Sequence, residues 1–263
     1  MKAKVVKNIL TKKKPEKKLL LTLKNRAGRN NQGRITVRHK GGGVKKRYRI
    51  IDFGQEKLDI PAKVLSLEYD PFRTSFIMLL EYADGEKRYR IASGKIKPGD
   101  EIICRAEAEI KESNRMKIKS VPVGTQVHDL ELVPGAGGKI VRSAGSSATI
   151  LAHEGKYANI QMPSGEIRKI LGECFASIGA VSFAEWRYMI AGKAGVSRHR
   201  GKRPAVRGSA MNPVDHPHGG GEGRTSIGLK HPKTPWGKPA RGIKTRKRKK
   251  WTSKLILQRR KKK

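Results

Sequence analysis

Phe76-Ile77-Met78-Leu79-Leu80-Glu81-Tyr82-Ala83-Asp84-Gly85-Glu86-Lys87-Arg88-Tyr89-Arg90-Ile91-Ala92 is the stretch on which the fold turns. Its first seven residues contain a continuous apolar stretch and are of strand length. Asp84-Gly85 marks a hairpin turn, because both residue types tolerate positive φ. Lys87–Ala92 reads as the returning strand. The same grammar extends to both sides. Lys63–Tyr69 reads as a strand stopped by Asp70-Pro71, and Lys97-Pro98-Gly99-Asp100 as a turn before a strand over Glu101–Cys104. Four or five short strands joined by tight turns predict a small barrel, OB-like by first choice.

A second set follows Pro122-Val123-Gly124. Thr125–Leu132 alternates, Pro134–Gly138 is a loop, and Ala148–His153 is a strand turned at Glu154-Gly155-Lys156. Tyr157–Met162 and Glu166–Leu171 flank Pro163-Ser164-Gly165, which suits a type II turn. An SH3-like barrel is expected here. His128 and His153 lie inside strand patterns and read as satisfied structural histidines. The expected fold is therefore mainly β: an OB-like barrel over 51–120, an SH3-like barrel over 121–191, and long basic extensions over 1–50 and 192–263.

Charge sets those extensions apart. The 263 residues hold 60 Lys and Arg against 22 Asp and Glu, a net of +38. Residues 1–50 hold 18 basic and 1 acidic side chain, residues 51–185 hold 18 and 19, and residues 186–263 hold 24 and 2. A near-neutral middle with two polycationic flanks implies an anionic partner. Lys12-Lys13-Lys14-Pro15-Glu16-Lys17-Lys18 buries nothing, so residues 1–24 are expected to be disordered on their own. In Arg26–Arg34, and again from Arg38 to Arg49 and Gly192 to Pro204, glycine alternates with Arg and Lys. Glycine admits close backbone approach and the cations neutralise phosphates. Gly41-Gly42-Gly43-Val44-Lys45-Lys46 lacks the spacing of a phosphate-binding P-loop. No apolar stretch is long enough to span a membrane. Gly and Pro break the tails, which leaves no amphipathic helix for a membrane surface. No long recognition helix for DNA is present. A structured RNA, whose phosphates cluster and whose irregular grooves accept extended chain, fits best. Cys104 and Cys174 read as reduced thiols and no cofactor is expected.

One run has the look of a reactive centre: Met211-Asn212-Pro213-Val214-Asp215-His216-Pro217-His218-Gly219-Gly220-Gly221-Glu222-Gly223-Arg224. It offers no serine or cysteine nucleophile. His216 and His218 have a ligand-like H-x-H spacing, but a third ligand is wanting unless Asp215 or Glu222 folds back. A metal-dependent hydrolase using Asp215, His216 and His218 is the rival reading, and an RNA-embedded loop the preferred one.

This run closely resembles the signature of the second protein of the large ribosomal subunit, the universal "L two" family, in its bacterial form. Gly33–Gly43, Tyr48–Phe53, Ile60–Val64, Tyr82–Tyr89, Pro122–Thr125, Arg142–Gly145, Arg203-Pro204 and Thr234–Gly237 match in order as well. The resemblance implies a non-enzymatic constituent of the large subunit whose extensions are buried in large-subunit rRNA. It implies roles in subunit assembly and association, and support of tRNA binding near the peptidyl-transferase centre. The implied partners are rRNA, neighbouring ribosomal proteins, the small subunit at a bridge and tRNA nearby. The implied location is a cytoplasmic ribosome, with an organellar one left open. It also raises direct participation of His216 in peptide-bond formation, which would need the ring within about 3 Å of the reacting proton. The candidate rRNA contacts are Arg34, His39, Lys40, Gly41, Gly42, Gly43, Lys45, Lys46, Arg47, Arg198, Arg200, Arg203 and Arg207. Asn212, His216, His218, Arg224, Trp236, Arg246, Lys247 and Arg248 complete the set. No residue is expected to hold a metal.

Overall fold

A computed structural model describes residues 9–247 and 249–260. The chain forms two compact units that do not follow sequence order. One comprises the chain up to Lys24, Lys46–Ile190 and the stretch from Thr252; the other is Asn25–Lys45 with Ala191–Trp251. The first is the β body, the second a basic unit.

The body is mainly β, consistent with an OB-like barrel followed by an SH3-like one. Its first sheet is antiparallel, built from β3 (Ala62–Tyr69), β4 (Phe76–Tyr82), β5 (Lys87–Ile91) and β6 (Glu101–Ile102) in the order β5-β4-β3-β6. Strand β4 lies inside the sheet, and period two splits its apolar run between both faces. Phe76, Met78, Leu80 and Tyr82 join Val64, Leu67 and Ile102 in one core. Ile77 and Leu79 join Ile51, Tyr89 and Ile91 in another. A run buried on both sides has no alternation to display, which is why the sequence shows a block of apolar residues there.

The hairpin turn differs from the expected one. Gly85 alone has positive φ, and Asp84 does not. The Gly85 N–H donates to the Tyr82 carbonyl at 2.9 Å, and the Tyr82 N–H to the Glu86 carbonyl at 3.0 Å. This is a three-residue loop ending on a left-handed glycine. The Met162–Glu166 turn repeats the pattern, with Gly165 at φ 80° and its N–H on the Met162 carbonyl at 2.8 Å. It is not type II, since that would need positive φ at Ser164, which has none.

The second sheet has seven strands: β7 (Arg115–Lys117), β8 (Gln126–His128), β9 (Ala148–Glu154), β10 (Tyr157–Gln161), β11 (Ile167–Leu171), β12 (Phe175–Ile178) and β13 (Ile256–Gln258). Their order is β13-β11-β10-β9-β8-β12-β7. Val127, Ile150, Ile160 and Ala176 close its core. The expected strand over Thr125–Leu132 stops at His128, because Asp129 turns to φ 47° and sends Leu130 to bridge Ile140. The expected strand to Cys104 stops at Ile102, and Cys104 bridges Arg115 instead.

Three segments depart from a tail-and-barrel plan. Residues 1–8 lie outside the described residues, but the rest of the Lys-rich start is ordered on the body. β1 (Leu20–Thr22) pairs with β2 (Arg47–Arg49), and the Glu16 N–H donates to the Tyr89 hydroxyl at 3.0 Å. At the other end β13 pairs with β11, and the Lys169 N–H reaches the Leu255 carbonyl at 2.8 Å. Between the barrels, Phe183 stacks on Phe76 with ring centroids 4.5 Å apart, and Trp186 and Met189 pack on the same first-barrel core. The stretch 181–189, read as second barrel, thus plugs the first.

Several buried polar side chains of the body hold structure through hydrogen bonds. The Glu131 carboxylate, fully buried, accepts the N–H groups of Gly137 and Phe175 and the Gln55 amide. Arg115, 1% exposed, donates through one Nη to the Asp129 carbonyl, the Asp129 carboxylate and Ser177. His128 Nδ1 lies 3.0 Å from the Gly179 carbonyl and His153 Nε2 lies 2.8 Å from that of Val121, as expected of structural histidines. Burial lowers the His128 pKa to about 4 and pushes the Cys174 thiol up to about 12. Both thiols are buried and free.

Candidate nucleic-acid interface

In the basic unit the two Gly-rich basic stretches meet each other. The Gly41 N–H donates to the Gly201 carbonyl at 2.8 Å, the Val44 N–H to that of His199 at 2.9 Å, and the Arg203 N–H to that of His39 at 3.0 Å. Lys40 lies opposite Lys202 in an antiparallel bridge. Glycine makes the approach possible: a Cβ on Gly43, which has φ 65°, would stand 2.7 Å from the His199 oxygen. The short helix α1 (Ala194–His199) leads into this contact.

Cations far outnumber carboxylates here. The unit holds 23 Lys and Arg against two carboxylates, Asp215 and Glu222. The body handles its cations differently: Arg88 alone engages Asp52, Glu56 and Glu86. Placing Lys40 across from Lys202 is unfavourable in isolation and becomes favourable beside phosphates.

Most of the sequence-derived contacts fall in this unit. Arg34, His39, Lys40, Gly42, Gly43, Lys45, Arg198, Arg200, Arg203, Arg207, Asn212 and Arg224 are exposed there, as are Trp236, Arg246 and Lys247; Gly41 is half-buried. Lys46 and Arg47 belong to the body instead, where Lys46 lies 5.9 Å from the Phe72 ring and Arg47 sits in β2. Arg248 lies outside the described residues. Two residues of the unit were not singled out. Arg38 places its guanidinium 5.5 Å from the ring centre of Trp236, itself at the tip of a turn closed by the Gly237 N–H on the Thr234 carbonyl. Arg29 bridges through its neighbours to Ile35. Both stand inside the motifs quoted above, and their basic neighbours masked them.

The run 211–224 is a self-packed loop. The Asn212 carbonyl accepts the Asp215 and His216 N–H groups, and the Met211 carbonyl that of Gly220 at 3.1 Å. The glycines are what let it close. A Cβ on Gly219 would strike the Asn212 and Met211 carbonyls, and one on Gly220 would lie 2.6 Å from the Pro213 ring. A Cβ on Gly208 would lie 2.5 Å from the His216 imidazole, which is buried.

Both histidines are wired by main-chain donors. His216 Nδ1 accepts the His218 N–H at 3.1 Å, and His218 Nε2 accepts the Lys233 N–H at 2.9 Å. Each neutral ring has one lone pair, and that pair is in use. Burial, His218 and Arg38 hold the His216 pKa below its ordinary value. A neutral ring whose lone pair is taken is a donor through its other nitrogen, and neither a general base nor a metal ligand in this arrangement. Asp215 and Glu222 are exposed, and no cluster of three His, Cys, Asp or Glu suited to a metal forms among the described residues.

A β body joined in sequence to a polycationic unit of Gly-rich, mostly irregular chain defines an RNA-binding protein of the structural kind. Residues 16–104 match the family model described as Ribosomal Proteins L2, RNA binding N-terminal domain, and residues 111–237 match Ribosomal Proteins L2, C-terminal domain. The two matches cover most of the chain, and the chain belongs to the L2 family of ribosomal proteins. It is a structural, RNA-binding constituent of the large ribosomal subunit. Among the described residues no helix is long and apolar enough to cross a membrane.

Proposed function

We propose that the unit of residues 25–45 and 191–251 is the surface that grips large-subunit rRNA. The observation that carries this is the 23-to-2 imbalance of cations over carboxylates, with Lys40 paired opposite Lys202. Arg34, His39, Lys40, Lys45, Arg198, Arg200, Arg203 and Arg207 contact phosphates, and Lys46 and Arg47 of the body are further phosphate contacts. Arg224, Trp236, Arg246 and Lys247 are further contacts, as is Arg248 on its charge alone, and the 211–224 loop is a preformed prop set into the RNA through Asn212, His216 and His218. The chain is no enzyme in this reading. Any influence of His216 on peptidyl transfer passes through the RNA it positions. Assembly, association with the small subunit at a bridge, contacts to neighbouring proteins and support of tRNA follow from holding that RNA in shape.

Binding to large-subunit rRNA fragments as a function of salt tests the proposal. Ten to twenty phosphate contacts give a log–log slope of roughly −7 to −15. Arg203→Ala should weaken binding modestly and reduce the slope by about one. Binding indifferent to salt would refute the electrostatic account.

A further inference from the structure

The basic unit contains a cavity of about 420 Å³ with two kinds of lining. Ile35 and Val37 are apolar and more than half exposed. Arg29, Arg38, Lys40 and Arg203 are cationic. The wall is preformed: the Gly28 carbonyl accepts the N–H groups of both Thr36 and Val37 at 3.0 Å, and Asn30 N–H donates to the Arg34 carbonyl at 3.0 Å. Trp236 steadies the Arg38 guanidinium.

Gly42, also in the lining, adds a separate clue. Its φ lies outside the left-handed region and a Cβ there would meet nothing within 4 Å. The fold of the chain gives no reason for glycine at this position, unlike Gly43 beside it. A partner that enters the cavity and comes close to the backbone does.

Phosphates alone would satisfy the cations and leave Ile35 and Val37 wet. A paired base has its faces covered by its neighbours in the stack. An unpaired nucleotide has both an exposed base face and a charged backbone, and RNA is read largely through such nucleotides, splayed onto aromatic or guanidinium planes. The volume falls in the range of pockets for small organic molecules, roughly 300–1,000 Å³. Resting on the reading of this unit as the rRNA surface, we propose that the cavity receives one unpaired nucleotide of the bound RNA. Its base lies against Ile35, Val37 and the plane of Arg38; its flanking phosphates lie on Arg29, Lys40 and Arg203.

The test uses the full chain bound to transcribed large-subunit rRNA. Photocrosslinking identifies the nucleotide attached to the 27–42 segment, and base-specific chemical probing follows its reactivity. The expected result is an unpaired nucleotide whose base becomes protected on binding. Gly42→Leu fills the cavity from an open position; it should abolish that protection and weaken binding roughly tenfold, the scale of one stacked base, with the salt slope unchanged. Ile35→Asn should do the same with a neutral polar side chain, and serves if the leucine variant misfolds. A crosslinked nucleotide within a duplex, or both variants protecting the base like the parent, would overturn the proposal. Loss of salt-dependent binding by the parent chain would instead strike the rRNA reading beneath it.

Discussion

His216 and His218 each spend a ring nitrogen on a backbone N–H, and Gly208 leaves the floor on which the His216 ring rests. Gly208→Ala should therefore displace the ring and strand the His218 amide, a loss of about 1–3 kcal/mol confined to the loop. Faster hydrogen exchange at the His218 amide, with the melting of the body unchanged, is the expected observation. His128 supplies a second residue-scale prediction. Its folded pKa of about 4 is below the ordinary 6.5, so the unfolded chain binds its proton first. The stability it contributes is complete above pH 6.5 and is lost as pH falls toward 4, in all about 3 kcal/mol. His128→Asn keeps a donor for the Gly179 carbonyl and removes the titration. Denaturant unfolding of this variant should show a flatter pH dependence between 6.5 and 5, where carboxylates contribute little.

At the scale of elements, two small ladders set the ends of the basic unit. β1 with β2 closes the excursion 25–45 at its base, and β13 on β11 brings the chain back to the body after residue 251. Closing such long loops costs conformational entropy that grows slowly with length, so short ladders suffice. Ile256→Pro removes the β13 side of one ladder. The Lys169 amide, which depends on the Leu255 carbonyl, should then exchange faster, and protease sensitivity between 191 and 251 should rise. Unchanged protection of the Lys169 amide would show that β13 does not hold the chain. Gly43→Ala tests the meeting of the two arms: a Cβ 2.7 Å from the His199 oxygen should part Val44 from His199 and lower rRNA affinity, while Gly42→Ala next to it is sterically free.

For the whole molecule, charge and apolar burial are divided between two units, and the contrast in charge along the chain was legible in the sequence. Counts of Lys, Arg, Asp and Glu located the polycationic flanks, and the 76–92 hairpin with its neighbours announced small antiparallel barrels. Local chemistry decides both: side-chain charge is independent of conformation, and period-two burial is written residue by residue. Long-range pairing is not written that way. Nothing local in Leu20–Thr22 or Ile256–Gln258 says that they finish sheets begun far away, and nothing in Phe183 says that it stacks on Phe76. The glycines of 41–43 and 219–221 look alike as letters. Tertiary structure separates Gly43, crowded by His199, and Gly219 and Gly220, crowded by their own loop, from Gly42, which faces open space. The tautomers of His216 and His218 were equally out of reach, since they depend on which amide arrives at which ring nitrogen. Composition and pattern thus settled the class of fold and of partner. The close contacts that bring one arm against the other, and tie both histidines to main-chain donors, depend on distances between residues that only the folded chain brings together.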